Sequence, residues 1–292
     1  MEKIILFYKF APLSDPEAVK LWQKTLALNL NLKGRVILSS HGINGTLGGD
    51  IESLKKYINQ TKSYPNFKGI VFKWSDGKRD DFPKLSIKVR NELVSFGIPD
   101  RIEVNQEGVI GGGKRITPAK LHQLIRDQHG EIVFVDGRNA REAAIGKFKN
   151  AVVFDVDHTR DFPAAIKDPK HKSLKNKTIV TYCTGGIRCE VLSKLMLDEG
   201  YKDVYQLDGG IVKYLEHYGD DGLWEGSLYV FDNRISINSS DHTKVIGRCT
   251  HCQSKTSNYI NCNNKACNEM VLVCKECSSK QKFRCKNCLV LA

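Results

Sequence analysis

Thr178-Ile179-Val180-Thr181-Tyr182-Cys183-Thr184-Gly185-Gly186-Ile187-Arg188-Cys189-Glu190 is the stretch that decides the fold. An apolar run suited to a β-strand over 178–182 ends on a cysteine, two glycines follow, and a helical pattern runs through Glu190 to Glu199. A residue just past the C-terminal end of a strand sits where active sites of parallel α/β sheets form. Gly185 and Gly186 leave the backbone free to curl, so that successive N–H groups converge as an anion nest facing the positive end of the next helix. Such a setting lowers a thiol pKa and stabilises a thiolate or persulfide. Cys183 is therefore the candidate nucleophile. Thr184, Gly185, Gly186 and Ile187 are its candidate nest, and Arg188 is a fixed charge that frames the loop. Cys189 is read either as a resolving thiol for an oxidised Cys183 or as an ordinary core cysteine.

Outward from the loop, strands are expected at Ile132–Asp136, Ala151–Phe154 and Val204–Leu207, with helices at Ala119–Asp127, around Arg141 and at Gly210–Tyr218. Alternating strands and helices imply a parallel sheet covered on both faces. Thr117-Pro118 starts this unit, as a cap followed by a first-turn proline. The preceding residues, with Pro99 and Gly111-Gly112-Gly113, break both periodicities and read as a linker. The N-terminal part reads as strand Lys3–Phe10, helix Asp15–Asn29, strand Val36–Ser39, helix Asp50–Gln60 and strands at Gly69–Trp74 and Leu85–Val89. With a hairpin partner strand around Asn44-Gly45 ahead of the second helix, and Leu85–Val89 as another extended run, the order βαββαβ is that of a ferredoxin-like, or acylphosphatase-like, unit. Within it, Asn44-Gly45 predicts a hairpin turn. His41 beside it, Asn44, and the pair Lys88 and Arg90, which share a strand face by period two, are candidate substrate contacts. The expected division is an α/β chain with residues 1–96 as the acylphosphatase-like domain, 97–115 as linker, 116–222 as the parallel-sheet domain and 223–292 as a Cys-rich module.

A chain of 292 residues is comfortable for two or three domains. The formal charge of +12 points to a polyanionic partner such as nucleic acid. No run approaches the ~20 apolar residues of a membrane helix, and the short apolar N-terminus is not expected to be a signal peptide, so a cytoplasmic, membrane-free protein is expected. Eight of the ten cysteines fall in the last 44 residues, which fits metal binding in a reducing compartment better than disulfides.

Those eight are Cys249 and Cys252, Cys262 and Cys267, Cys274 and Cys277, and Cys285 and Cys288. CxxC knuckles place two sulfurs close together with N–H groups aimed at them, and two pairs complete a tetrahedral site. Two structural zinc ions are expected; whether the pairs join sequentially or cross-brace is not readable from spacing. Lys255, Lys265, Lys275, Lys280, Lys282, Arg284 and Lys286 are candidate phosphate contacts, and Tyr259 and Phe283 candidate stacking platforms for unpaired bases.

The loop Cys183–Arg188 resembles the active-site loop of the rhodanese superfamily. Phe134-Val135-Asp136-Gly137-Arg138 with Glu142, and the segment from Gly200 to Ile211, resemble its two flanking signatures. Six residues from Cys183 to Arg188 is the sulfur-handling length, one shorter than in related phosphatases. Arg138 and Glu142 are expected as a structural ion pair, with Asp136 capping the local turn. With Gly42-Ile43-Asn44-Gly45-Thr46, the stretch Phe82, Leu85, Lys88, Arg90, Glu92 and the Cys-rich tail, the whole chain resembles the bacterial family of oxygen-dependent tRNA uridine hydroxylases. The resemblance implies hydroxylation of the wobble uridine in the anticodon loop of tRNA to 5-hydroxyuridine, with molecular oxygen as co-substrate and Cys183 essential. No flavin, haem or nicotinamide motif is visible. Two alternatives stay open: a sulfurtransferase carrying a persulfide on Cys183, and a zinc-tailed RNA-binding protein with an inert rhodanese domain.

Overall fold

The computed structural model describes residues 1–128, 131–279, 283–285 and 287–288; Lys280, Lys282 and Lys286 lie outside them. The N-terminal sheet is built from β1 (Glu2–Phe10), β2 (Lys33–Ser39), β3 (Gly42–Asp50), β4 (Val71–Ser75) and β5 (Leu85–Val89), in the order β4-β1-β3-β2-β5, with β5 parallel to β2 and the other pairs antiparallel. Helices α1 (Pro16–Asn29) and α2 (Ile51–Ser63) cover one face. Each starts where an aspartate caps it: the Asp15 carboxylate accepts from Ala18 N and that of Asp50 from Glu52 N, both at 2.9 Å. Period-two alternation sends Ile5, Phe7, Val36, Leu38, Ile43 and Leu47 to this helical side. Leu6, Tyr8, Asn44, Thr46, Arg35 and Lys73 are left for the opposite side, which faces the second domain.

The expected turn at Asn44-Gly45 is not there. Both residues lie inside β3, and the chain reverses four residues earlier at Ser40-His41, set by the pairing of Ser39 with Gly42. A glycine is needed at position 45 because of packing: a Cβ there would lie 2.5 Å from Cζ of the buried Phe7 ring.

The second sheet contains β6 (Lys114–Ile116), β7 (Ile132–Asp136), β8 (Val152–Val153), β9 (Thr178–Tyr182) and β10 (Asp203–Leu207), all parallel, in the order β8-β7-β9-β10-β6. Around it lie α3 (Pro118–Asp127), α4 (Ala140–Ile145), α5 (Ile187–Asp198) and α6 (Gly210–Tyr218). The segment between the sheets carries a short hairpin, Val104–Asn105 with Gly108–Val109. Leu93, Phe96 and Ile102 of this segment, with Phe10 of β1, are buried in the same core as Val135, Ile179 and Leu192. Beyond α6, Trp224–Gly226 pairs with Gly146–Phe148, and Trp224 and Leu228 join the core on the other face of the parallel sheet. No described helix is long and apolar enough to cross a membrane.

Gly45→Ala should destabilise the N-terminal sheet by about 1–3 kcal/mol, because the Phe7 ring is packed and must move. Urea unfolding measures the loss, and Phe7→Leu in the same chain should recover part of it.

Candidate active site and metal clusters

Helix α5 begins at Ile187, earlier than the Glu190 expected from its apolar pattern, so its first turn grows directly out of the cysteine loop. Its cap, Gly186, has no side chain to satisfy the free N–H groups and sits at φ +101°, where a glycine is favoured. Three successive loop carbonyls are claimed from outside. Cys183 O accepts from Ile211 N at 2.9 Å and Thr184 O from Val212 N at 3.1 Å, both at the start of α6. Gly185 O accepts from Lys73 Nζ of the N-terminal domain at 2.5 Å. With its carbonyls turned outward, the loop turns N–H groups inward, and Gly186 N donates to Cys183 Sγ at 3.2 Å.

Burial alone would push the Cys183 thiol up. Hydrogen bonding by the Cys189 side chain, the charge of Arg188 and the N–H groups of Cys189 and Gly186 outweigh it and bring the thiol down to about 6. Cys189 responds in the opposite sense: burial, together with the neighbouring Cys183 sulfur, pushes its thiol well above the ordinary value. The two cysteines are both reduced, and Cys189 is fully buried.

Ion pairing differs from the expected Arg138–Glu142 couple. Arg138 instead grips Asp136 through Nε and Nη2, at 2.9 and 2.7 Å, with both residues fully buried. Glu142 is paired with Arg188, Nη1 to Oε1 at 2.5 Å and Nη2 to Oε2 at 2.8 Å. The exchange follows from α4: Asn139 and Glu142 form its capping box, which aims Glu142 at the loop rather than back toward β7. Burial works against the Glu142 carboxylate, but the Arg188 guanidinium holds its pKa below the usual range. Asp136 does cap the turn, accepting from Arg138 N at 3.0 Å.

A cavity of about 360 Å³ opens over the loop, between it and the free face of the N-terminal sheet. Cys183, Thr184, Gly185, Ile187 and Arg188 line one wall, and Asn44 reaches it from β3. The opposite wall holds residues that the sequence does not single out. Tyr8 and Lys73 stand over the loop, Arg35 and Thr46 extend the wall, and Phe231 closes one side. Tyr8 Oη donates to the buried Glu190 at 3.1 Å, and Arg115 pairs with the same carboxylate at 2.7 Å. Burial lowers the Lys73 ammonium to about 8, with the Cys183 sulfur acting to raise it. Only the alternation in β1 and a lysine inside an apolar strand hinted at these residues. Lys88 and Arg90 do not enter this cavity and line a separate groove; His41 sits half-buried in the β2–β3 turn, outside both.

The tail cysteines gather as two sets of four, Cys249, Cys252, Cys274 and Cys277, and Cys262, Cys267, Cys285 and Cys288, with all sulfurs in a set within 4.8 Å of one another. The pairs are interleaved along the chain, so the arrangement is cross-braced. Cys252–Cys274 and Cys267–Cys285 Sγ separations are both 3.6 Å. Those values approach the ~3.8 Å edge of a tetrahedron with metal–sulfur bonds near ~2.3 Å. Sulfur-directed N–H donors add to the fit, from Cys277 to Cys274 and from Cys285 to Cys262, both at 3.4 Å. Each cluster can hold one tetrahedral metal ion. Tyr259 and Phe283 are buried, Tyr259 donating to Arg141 O at 2.8 Å and Phe283 packing edge-on to His251, so neither is offered to a base.

Residues 2–93 match the family described as UPF0176 acylphosphatase like domain, residues 117–217 the rhodanese-like domain and residues 225–289 the rhodanase C-terminal domain. The chain is 54% identical over 286 residues to a protein of Corynebacterium glutamicum named tRNA uridine(34) hydroxylase, covering 97% of this chain and 92% of that one. A protein of the same name from Corynebacterium kroppenstedtii is 54% identical over 289 residues, covering 99% and 98%. Another from Arthrobacter is 52% identical over 289 residues, covering 98% and 97%.

Alkylation of Cys183 by iodoacetamide should rise with pH through a midpoint near 6, because the thiolate is the reacting form. Arg188→Leu should move that midpoint upward. The same change strands Glu142 as a buried carboxylate and should cost about 3–5 kcal/mol in stability. Mass spectrometry of the alkylated peptide across pH, with urea unfolding, checks both.

Proposed function

The chain belongs to the tRNA uridine(34) hydroxylase family, and we propose that it hydroxylates the uridine at position 34 of tRNA, in the anticodon loop, to 5-hydroxyuridine with molecular oxygen. The observation that carries the reading is a cysteine thiol lowered to about 6 at the floor of a cavity of about 360 Å³ roomy enough for a splayed-out base.

In this reading the Cys183 thiolate adds to C6 of the uracil ring, which raises electron density at C5 for attack on dioxygen. Thr184, Gly185, Gly186, Ile187 and Arg188 keep the sulfur ionised between turnovers. Lys73 fixes the loop through Gly185 O and presents positive charge beside the sulfur. Cys189, protonated and adjacent, is placed to resolve an oxidised Cys183. Converting C5–H to C5–OH with dioxygen balances when an external reductant delivers two electrons and two protons take the second oxygen away as water; loss of the C5 proton then expels the Cys183 thiolate from C6 and restores the 5,6 double bond. Asn44 is assigned to the base and His41 to the rim of the RNA site. The protein would work in the cytoplasm, where its substrate is. One zinc ion in each four-cysteine cluster would close the tail. With all four ligands from protein, its part is to hold the fold.

Cys183→Ser should abolish hydroxylation, read by mass spectrometry of nucleosides from tRNA of deletion and complemented strains. Unchanged 5-hydroxyuridine derivatives in the complemented Cys183→Ser strain would defeat the assignment. A persulfide trapped on Cys183 with unaltered tRNA nucleosides would indicate a sulfurtransferase instead. Metal analysis should return two zinc ions per chain, and chelation should make the segment after Thr243 sensitive to protease while the sheets resist.

A further inference from the structure

The free face of the N-terminal sheet continues past the cavity over Cys183. Strand register sets what it carries. Lys73 of β4 lies opposite Leu6, Leu6 opposite Thr46, Thr46 opposite Arg35, and Arg35 opposite Ser86 of β5. Beside this row, Tyr8, Asn44, Ile37 and Lys88 form a second one on the same face. The inner strands of both rows look at the cysteine loop. The outer strand, β5, lies two strand spacings from β3, about 10 Å to one side.

There a groove of about 350 Å³ is lined by Arg35, Lys84, Ser86, Lys88 and Arg90 over the floor of Phe82 and Ile37. Arg35, Lys84, Lys88 and Arg90 are exposed, and among the described residues none of the four is engaged in an ion pair. No acidic side chain lines the groove. The nearby Glu92 carboxylate is occupied, accepting from Gly97 N and Ile98 N at 2.8 Å. Arg35 and Ile37 line both the groove and the cavity over Cys183, so the two adjoin. Four unneutralised cations along one groove repel one another and gain most from a polyanion laid along them.

We propose that this groove, with Arg35, Lys84, Lys88 and Arg90 as its cations, binds backbone phosphates of the single-stranded RNA nucleotides that flank the base delivered to Cys183. The inference rests on the RNA-modifying reading and specifies the surface that holds the strand. Phosphate contacts position a strand without reading its sequence, so the groove sets register while the cavity selects the base.

The test is binding of an anticodon stem-loop RNA to the full chain at several salt concentrations. Lys84→Gln, Lys88→Gln and Arg90→Gln combined should weaken binding tenfold or more and reduce the slope of log Kd against log salt by about 2, at roughly 0.7 for each phosphate that is no longer neutralised. The loss should be the same for a stem-loop with cytidine in place of uridine 34. The charge-conserving set Lys84→Arg, Lys88→Arg and Arg90→Lys should bind like the original chain, which separates lost charge from lost fold. Failure of the hydroxylase assignment would show in the nucleosides and not in this binding measurement. An unchanged Kd and salt slope in the Gln variant, or a loss confined to the uridine stem-loop, would overturn the inference.

Discussion

The bidentate pair between Glu142 and Arg188 is the contact on which the cysteine loop depends. Both side chains are almost wholly removed from water, at 1% and 10% exposure, so neither charge is tolerable without the other. The pair ties the last residue of the loop to α4, and Arg188 Nη2 also reaches Thr184 Oγ1 at 3.3 Å. The loop is thus clamped across its mouth while its carbonyls are drawn outward by α6 and Lys73. A backbone so held has its N–H groups converging whether or not an anion is present, and the sulfur gains from dipoles already in place.

The second buried pair, Asp136 with Arg138, works one layer further back. Arg138 Nη2 donates to Gly146 O at 2.6 Å, and Tyr182 Oη donates to Asp136 at 2.9 Å. This network joins the ends of β7 and β9 to the strand that pairs with Trp224–Gly226. It therefore connects the strand carrying Cys183 to the segment leading into the tail, and Tyr259 extends that connection by bonding to α4 at Arg141 O. Tyr259 and Leu272, which lie between the cluster cysteines in the chain, share a small core with Ile145 of the same helix that aims Glu142.

The N-terminal domain contributes the other half of the site. Tyr8 bonds to Glu190 on α5, and Lys73 to the loop itself, so the free sheet face is docked on the loop at defined points. The rest of that face is left over the cavity and the basic groove. A ferredoxin-like sheet with helices on one side has an uncovered face to spare, and here it is used as a roof.

Much was legible from residue order because it depends on local pattern. The strand at 132–136, that at 178–182 and the helix at 210–218 were placed to the residue, since apolar period and glycine or proline punctuation act over a few neighbours. Cys183 and its nest were legible for the same reason: strand, cysteine, glycines and helix follow one another directly. The eight tail cysteines announced by their spacing clusters able to hold metal ions. What failed was long-range. Asn44-Gly45 has turn chemistry, but pairing on both sides with β1 and β2 and the ring of Phe7 overrode it. Arg138 and Glu142 are close in sequence, yet each found a better-placed partner, because helix α4 fixes the direction of Glu142. Tyr259 and Phe283 look like stacking platforms until packing buries them. Tyr8 and Lys73 carry only a faint local signal and Arg35 none, all three being brought over the loop only when two sheets dock. By itself the sequence determined which cysteine stands between a strand end and a glycine loop and which elements form around it, for these follow from contacts between near neighbours. Which charges pair, how the clusters interleave and what stands opposite the sulfur were decided only by tertiary structure, because burial makes the energy of each charge depend on partners far away along the chain.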